Sequence, residues 1–178
     1  MSKIAIISGS TSDTSRLNGI LQHVETLLHE HRVKRIDVRS LPPEDLIYTN
    51  FGSPAIIEAT RIIEEADAVL VATPIYKASY TGVIKTFLDL IPQKGLQGKV
   101  ILPLAIGGTL AHLLAIDYAL KPVLSAIGAH NQLQGVYALD VQVKRNEDGS
   151  FELSDELKER LQDSIIDLVN EVGLYANK

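Results

Sequence analysis

The sequence predicts an α/β fold, a parallel sheet covered by helices on both faces. Two observations lead there. Short apolar runs alternate with amphipathic helical segments along the chain, the order strand, helix, strand, helix expected of a parallel sheet. The apolar runs are nearly continuous rather than alternating, as in strands buried on both faces. Length agrees, since 178 residues suit one domain, spanning 1–178, with a sizeable core.

The elements follow in order. Residues 3–8 (KIAIIS) form a short, isoleucine-rich strand, and a polar turn follows at 9–15. Leu17, Ile20, Leu21, Val24 and Leu28 recur at helical spacing and predict an amphipathic helix. A second strand is expected at 33–38, then a long polar loop over 39–54. Residues 56–66 predict a helix and 67–73 (DAVLVAT) another buried strand. Ile84, Phe87, Leu88 and Ile91 mark a helix that Pro92 ends. A fourth strand is expected at 99–106, a long helical segment at 109–127 and an extended segment at 132–143, closed by a turn at 146–149. Ser154 can cap a last helix with Leu157, Leu161, Ile165, Leu168 and Val172 on one face.

Composition removes several function classes. A net charge of −5 without a basic cluster argues against nucleic-acid binding, which needs phosphate neutralisation. With no cysteine, disulfides, thiolate metal sites and a cysteine nucleophile are excluded. The remaining carboxylates and histidines show no metal-ligand spacing. No apolar run reaches the roughly 20 residues of a membrane helix, and the N-terminus lacks a signal-peptide layout, so a cytoplasmic protein without a membrane partner is expected. The only methionine is the initiator, which fits either chance or economy of sulfur.

In a parallel sheet of this kind, ligands bind beyond the carboxyl ends of the strands near the switch in strand order. Three loops should meet there. In the first, Ser10, Ser12, Thr14 and Ser15 carry hydroxyls at a helix start, where free N–H groups favour anions, and Arg16 can add charge. It is neither a Walker motif nor a G-x-G-x-x-G fingerprint, and an ordinary capped helix start would look the same. The second loop, 73–82, places Pro74, Ile75 and Tyr76 where a planar ring needs a wall, although a tyrosine packed in a loop or subunit contact reads alike. The third, Gly107, Gly108, Thr109 through His112, lets a ligand approach the backbone closely. His112 is a ligand contact or a helix-start histidine.

With Thr73-Pro74-x-Tyr76, then Gly82, Lys85 and Asp89, the chain resembles the NADPH-dependent FMN reductases, and the run 107–124 (GGTLAHLLAIDYALKPVL) is similar to the FMN reductases of bacterial alkanesulfonate monooxygenase systems. The resemblance implies a flavodoxin-like three-layer sandwich with a five-stranded parallel sheet. It also implies FMN and NADPH as cofactors, an FMN-dependent monooxygenase partner that receives reduced flavin, and a homodimer or homotetramer. Carried over by position, phosphate contacts fall at Ser10, Ser15 and Arg16, and flavin-ring contacts at Pro74, Ile75, Tyr76 and Gly107-Gly108-Thr109. Much of the broad family has arginine where Ser12 stands, and Glu and Asn where Ile75 and Lys77 stand. Sulfur economy suits an alkanesulfonate pathway, which works when sulfur is scarce.

Hydride transfer from nicotinamide to flavin is the cofactors' own chemistry, so no catalytic residue is expected. Two alternatives stay open: a quinone, azo or metal-ion reductase with tightly held FMN, and a flavodoxin-type electron carrier. One local irregularity is predicted. Pro122 has no N–H for the Tyr118 carbonyl and crowds it, and Asp117 interrupts the apolar stripe, so a π-type bulge or kink is expected near Tyr118. The similar reductases carry an inserted tyrosine there at a subunit interface, which implies a role for Tyr118 in assembly and in flavin release.

Overall fold

The computed structural model describes residues 1–175 of the chain. Its sheet is built from β1 (Lys3–Ser8), β2 (Arg32–Asp37), β3 (Ala68–Tyr76), β5 (Val100–Gly107) and two short segments, β6 (Asn131–Gln132) and β7 (Val136–Leu139). Among the described residues the order is β2-β1-β3-β5-β6, all parallel, with β7 continuing β6's position along β5. A short antiparallel strand, β4 (Ser79–Tyr80), folds back on the end of β3. The five-position parallel sheet is therefore as expected, with its last position split and a two-residue appendage added.

Alternation along the strands sorts the core into two layers. Ile4, Ile6, Leu70, Leu102 and Leu104 face α1 (Arg16–Leu27) and α6 (Asp155–Tyr175), packing on Leu17, Leu21, Leu161 and Leu168. Ala5, Ile7, Val69, Val71 and Ile101 face the other side. There they meet Ile56 and Ile63 of α3 (Pro54–Glu64), Ile84 and Phe87 of α4 (Gly82–Leu88), and Leu124 of α5 (Lys121–Ala126). Each fully buried side chain of this size contributes about 1.5–3 kcal/mol, so both faces anchor the sheet.

Four expectations need correction. The 39–54 stretch is not all loop: a 3₁₀ turn at Val38–Ser40 is followed by α2 (Pro43–Ile47). Pro43 at the helix start and Glu44 and Asp45 in its first turn are sufficient signals for it. The helix before Pro92 ends earlier, at Leu88, with Asp89 as its cap. The extended segment 132–143 is broken into β6, β7, a 3₁₀ turn at Asp140–Gln142 and β8 (Val143–Arg145), which pairs with β9 (Phe151–Leu153). The first break lies opposite Pro103, which has no N–H to give a neighbour. Gly135 crosses there at φ +87, where an added Cβ would lie 2.6 Å from the Pro103 carbonyl oxygen. Finally, 109–127 is not one helix but a 3₁₀ turn (Leu110–His112), a π-helical turn (Ile116–Leu120) and α5.

The π-turn is the irregularity expected near Tyr118. The Lys121 N–H bonds the Ile116 carbonyl, five residues back, and Pro122 supplies no N–H for the register an α-helix would need. Ser154 caps α6, accepting from the Leu157 N–H at 3.3 Å.

Candidate functional site

The three loops converge beyond β1, β3 and β5. The chain runs from β1 to β2 on one side, then crosses to β3 on the other, so the switch in direction lies between β1 and β3. A cleft of about 270 Å³ opens there, lined by Ser12, Thr14, Ser15, Arg16, Pro74, Ile75, Tyr76, Ile106, Gly107 and Asp140.

The first loop holds its own shape. The Gly9 N–H bonds the Ala72 carbonyl at 2.7 Å, and Gly9 runs so close beneath α4 that a Cβ would lie 2.7 Å from the Cβ of Ile84. Ser10 is buried, and its hydroxyl donates to the Ser12 carbonyl at 2.8 Å. The Ser12 and Thr14 hydroxyls lie 2.9 Å apart in the cleft. Ser15 caps α1, accepting from the Leu17 N–H at 3.3 Å. Arg16 lines the cleft while its Nε donates to the Val143 carbonyl at 3.0 Å, tying α1 to β8. Arg39 pairs with Asp13 and is spent on the outside of the loop.

The second loop is clamped to the first. The Thr81 hydroxyl donates to the Gly9 carbonyl at 2.9 Å and accepts from the Ile84 N–H, so one buried side chain caps α4 and joins two loops. Thr73, also buried, accepts from the Thr81 N–H at 3.1 Å. Lys77 and Ala78 both have positive φ, 50° and 66°, which turns the chain tightly from Tyr76 back to Ser79. Two non-glycine residues in that conformation are uncommon and mark a held geometry. The turn presents Tyr76, about half exposed, across the cleft, where its hydroxyl lies 3.0 Å from that of Thr11.

The third loop is fixed from beneath by Tyr137 of β7. Its hydroxyl donates to the Thr109 carbonyl at 2.8 Å and occupies the space a Cβ at Gly107 would take. Burial, with the Asp140 carboxylate nearby, pushes the Tyr137 phenol above its ordinary range and keeps it a donor. Gly108 and Thr109 are exposed at the rim. Asp140 reaches the same rim: an added Cβ on Gly108 would lie 3.4 Å from its Oδ2.

Eight of the expected residues thus share one cleft: Ser12, Thr14, Ser15, Arg16, Pro74, Ile75, Tyr76 and Gly107. Ser10 shapes the loop from below. His112 lies in the 3₁₀ turn and does not line the cleft, and Tyr118, 79% exposed, lies on the π-turn. Sequence reasoning missed Ile106, Thr81, Tyr137 and Asp140. Ile106 is the last apolar residue of β5, just before the glycine pair, and that position was a usable signal; Tyr137 and Asp140 reach the cleft only through strand pairing of β7 with β5.

The donor set fits a flavin mononucleotide in kind. Hydroxyls and a helix N-terminus suit its phosphate, an apolar–aromatic wall suits its ring, and glycine backbone suits the ring's polar edge. Comparisons with known proteins agree. Residues 2–144 match the model of the NADPH-dependent FMN reductase family. The chain is 48% identical over 143 residues to an FMN reductase (NADPH) of Escherichia coli K12, covering 79% of this chain and 75% of that one. It superimposes on the apo NADH:FMN oxidoreductase EMOB with a TM-score of 0.79 and 37% identity, covering 94% of this chain and 88% of that one. A Fusobacterium nucleatum flavodoxin mutant matches at TM-score 0.61 and 18% identity over 96% of this chain and 97% of that one, a likeness of fold. The flavodoxin-like chain belongs to the NADPH-dependent FMN reductase family and is an enzyme that uses NAD(P)H to reduce FMN.

Proposed function

We propose that FMN is a diffusing substrate of this enzyme, and that the reduced flavin is handed to an FMN-dependent monooxygenase in alkanesulfonate sulfur assimilation in the cytoplasm. The cleft itself carries this reading. Its lining holds one cation, Arg16, against one carboxylate, Asp140, and one aromatic ring, Tyr76. A site of about 270 Å³ is below the size that normally buries most of a ligand this large. Loose holding and an open ring face suit a flavin that must leave and a nicotinamide that must stack on it.

In this reading Ser12 and Ser15, with Arg16, hold the phosphate, and Ser10 maintains the loop. Pro74, Ile75 and Tyr76 wall the ring, while Gly107, Gly108 and Thr109 offer their backbone to its polar edge. His112, away from the cleft, is not carried into the proposal. The protein's task is to place nicotinamide C4 against flavin N5 for hydride transfer. The alkanesulfonate setting rests on the resemblance of residues 107–124 and on the near absence of sulfur. Tyr118 and the exposed Leu110, Leu113 and Leu114 beside it support a homodimer or homotetramer joined through the π-turn.

Protein purified without added flavin should be nearly colourless, and should oxidise NADPH or NADH only when FMN is supplied. Adding an alkanesulfonate monooxygenase together with an alkanesulfonate, in the presence of oxygen, should then release sulfite and the corresponding aldehyde. Stoichiometric flavin surviving dialysis would overturn the substrate reading and favour a reductase with fixed FMN.

A further inference from the structure

Asp140 is the one carboxylate lining the cleft, where it opens the 3₁₀ turn Asp140–Gln142. It is half-buried, and its side chain makes no hydrogen bond or ion pair among the described residues. Arg16 lines the same cleft, but no ion pair joins the two, and the Nε of Arg16 is taken by the Val143 carbonyl. Nor does Asp140 drift: the 3₁₀ turn Asp140–Gln142 holds it, closed at one end by the Gln142 side chain accepting from the Leu139 N–H at 2.9 Å. At its other end the turn continues from β7, whose Leu139 pairs with Gly107. The carboxylate is therefore held beside Gly107 and Gly108, where a flavin's polar edge would lie.

The reaction changes the charge at that edge. A hydride carries two electrons and one proton from nicotinamide C4 to flavin N5; the C–H bond breaks and an N–H bond forms. The nicotinamide becomes a cation, and the reduced flavin gains one negative charge, spread over N1 and the adjacent carbonyl. Oxidised FMN brings no charge to this end of the cleft, whereas reduced FMN brings one that faces a fixed carboxylate in a partly desolvated site.

We propose that Asp140 sets the preference of the cleft for oxidised over reduced FMN, and so drives release of the product. This rests on the reading of FMN as a substrate that leaves. Asp140 is a specificity residue for the oxidation state of the flavin; it moves no proton.

The test compares the wild-type enzyme with Asp140→Asn and Asp140→Ala, binding oxidised FMN in air and dithionite-reduced FMN under argon, each by equilibrium ultrafiltration. Both variants remove the charge and only one keeps the shape, so a result common to both reports charge; thermal melts confirm that each is folded. Reduced FMN should bind the variants about ten-fold more tightly relative to oxidised FMN, which raises the midpoint potential of bound flavin by about 30 mV for a two-electron couple. An unchanged ratio of the two affinities overturns the proposal. So does an equal weakening of both, which would make Asp140 an acceptor for the ring N–H. A wild-type protein that binds reduced FMN at least as tightly as oxidised, and retains it, overturns the substrate reading as well, whereas an unchanged ratio in an enzyme that releases flavin overturns only the role of Asp140.

Discussion

The loop after β1 and the segment after β5 stand at the same edge of the sheet and are built on opposite plans. Its own hydroxyls hold the first loop, Ser10 donating to the Ser12 carbonyl, Ser12 bonding Thr14 and Ser15 accepting from the Leu17 N–H of α1, and Thr81 of the second loop clamps it by donating to the Gly9 carbonyl. The second breaks into 3₁₀, π and α turns within 17 residues, from Leu110 to Ala126, and leaves Leu110, Leu113, Leu114 and Tyr118 to solvent. A loop that satisfies itself is ready for a small anion. A segment that leaves four apolar side chains exposed fits the assembly proposed above. One sheet edge therefore carries a preformed ligand site beside a surface suited to assembly.

The strongest way to break this contrast is at Gly107, the end of β5 from which the second segment leaves. Gly107→Ala should destabilise the fold by up to about 3 kcal/mol in urea unfolding, since the added Cβ overlaps the Tyr137 hydroxyl. Adding Tyr137→Phe should recover part of that loss; no recovery would mean that the backbone, not the hydroxyl, limits the site. On the first loop, Ser15→Ala should weaken FMN by about 1.5–3 kcal/mol, or roughly one to two decades in dissociation constant. Riboflavin, without a phosphate, should bind as before, and equal losses for both would remove the phosphate assignment. Thr81→Val keeps the shape but strips the buried Gly9 carbonyl of its donor, at a cost of about 1–3 kcal/mol in stability. The smallest effect on the fold is expected from Tyr118→Ala, within about 0.5 kcal/mol because the ring is solvent-exposed. The same variant should change the assembly state, flavin retention or turnover, measured by sedimentation and steady-state rates; if all three stay as they were, the π-turn is not a working interface.

Much of this architecture was legible in the sequence because it rests on period and local chemistry. The strand runs, the α6 stripe and its Ser154 cap are each decided within a few residues. The π-turn was legible for the same reason, since Pro122 acts on a carbonyl four residues away. Other features depend on distant residues. The break at 133–135 follows from Pro103, some 30 positions upstream, and Gly135 alone marks it locally. Of the site, the three loops were visible as clusters of hydroxyls, glycines and an aromatic. Arg16 was recognised as a cleft cation, but not its tie to Val143, and Asp140 enters only because β7 lies along β5. The Ser10 hydroxyl was legible as a candidate ligand donor, but its bond to the Ser12 carbonyl was not, because sequence shows which groups can donate and not which partners they meet.

The split at Pro103 also divides the sheet's outer position into two unequal partners. β6 holds only Val100 and Ile101 of β5, and its Asn131 bonds Glu171 near the end of α6. β7 runs along four residues of β5, and Arg160, from the second turn of α6, donates to the Tyr137 carbonyl at 2.6 Å. Cooperative opening in a folded protein follows such contacts rather than chain order. In slow amide exchange, β7 should therefore keep company with the N-terminal half of α6, while β6 opens on its own at lower free energy. The wall of the cleft that carries Tyr137 and Asp140 is thus fastened to the last helix, and the neighbouring margin can breathe without disturbing it.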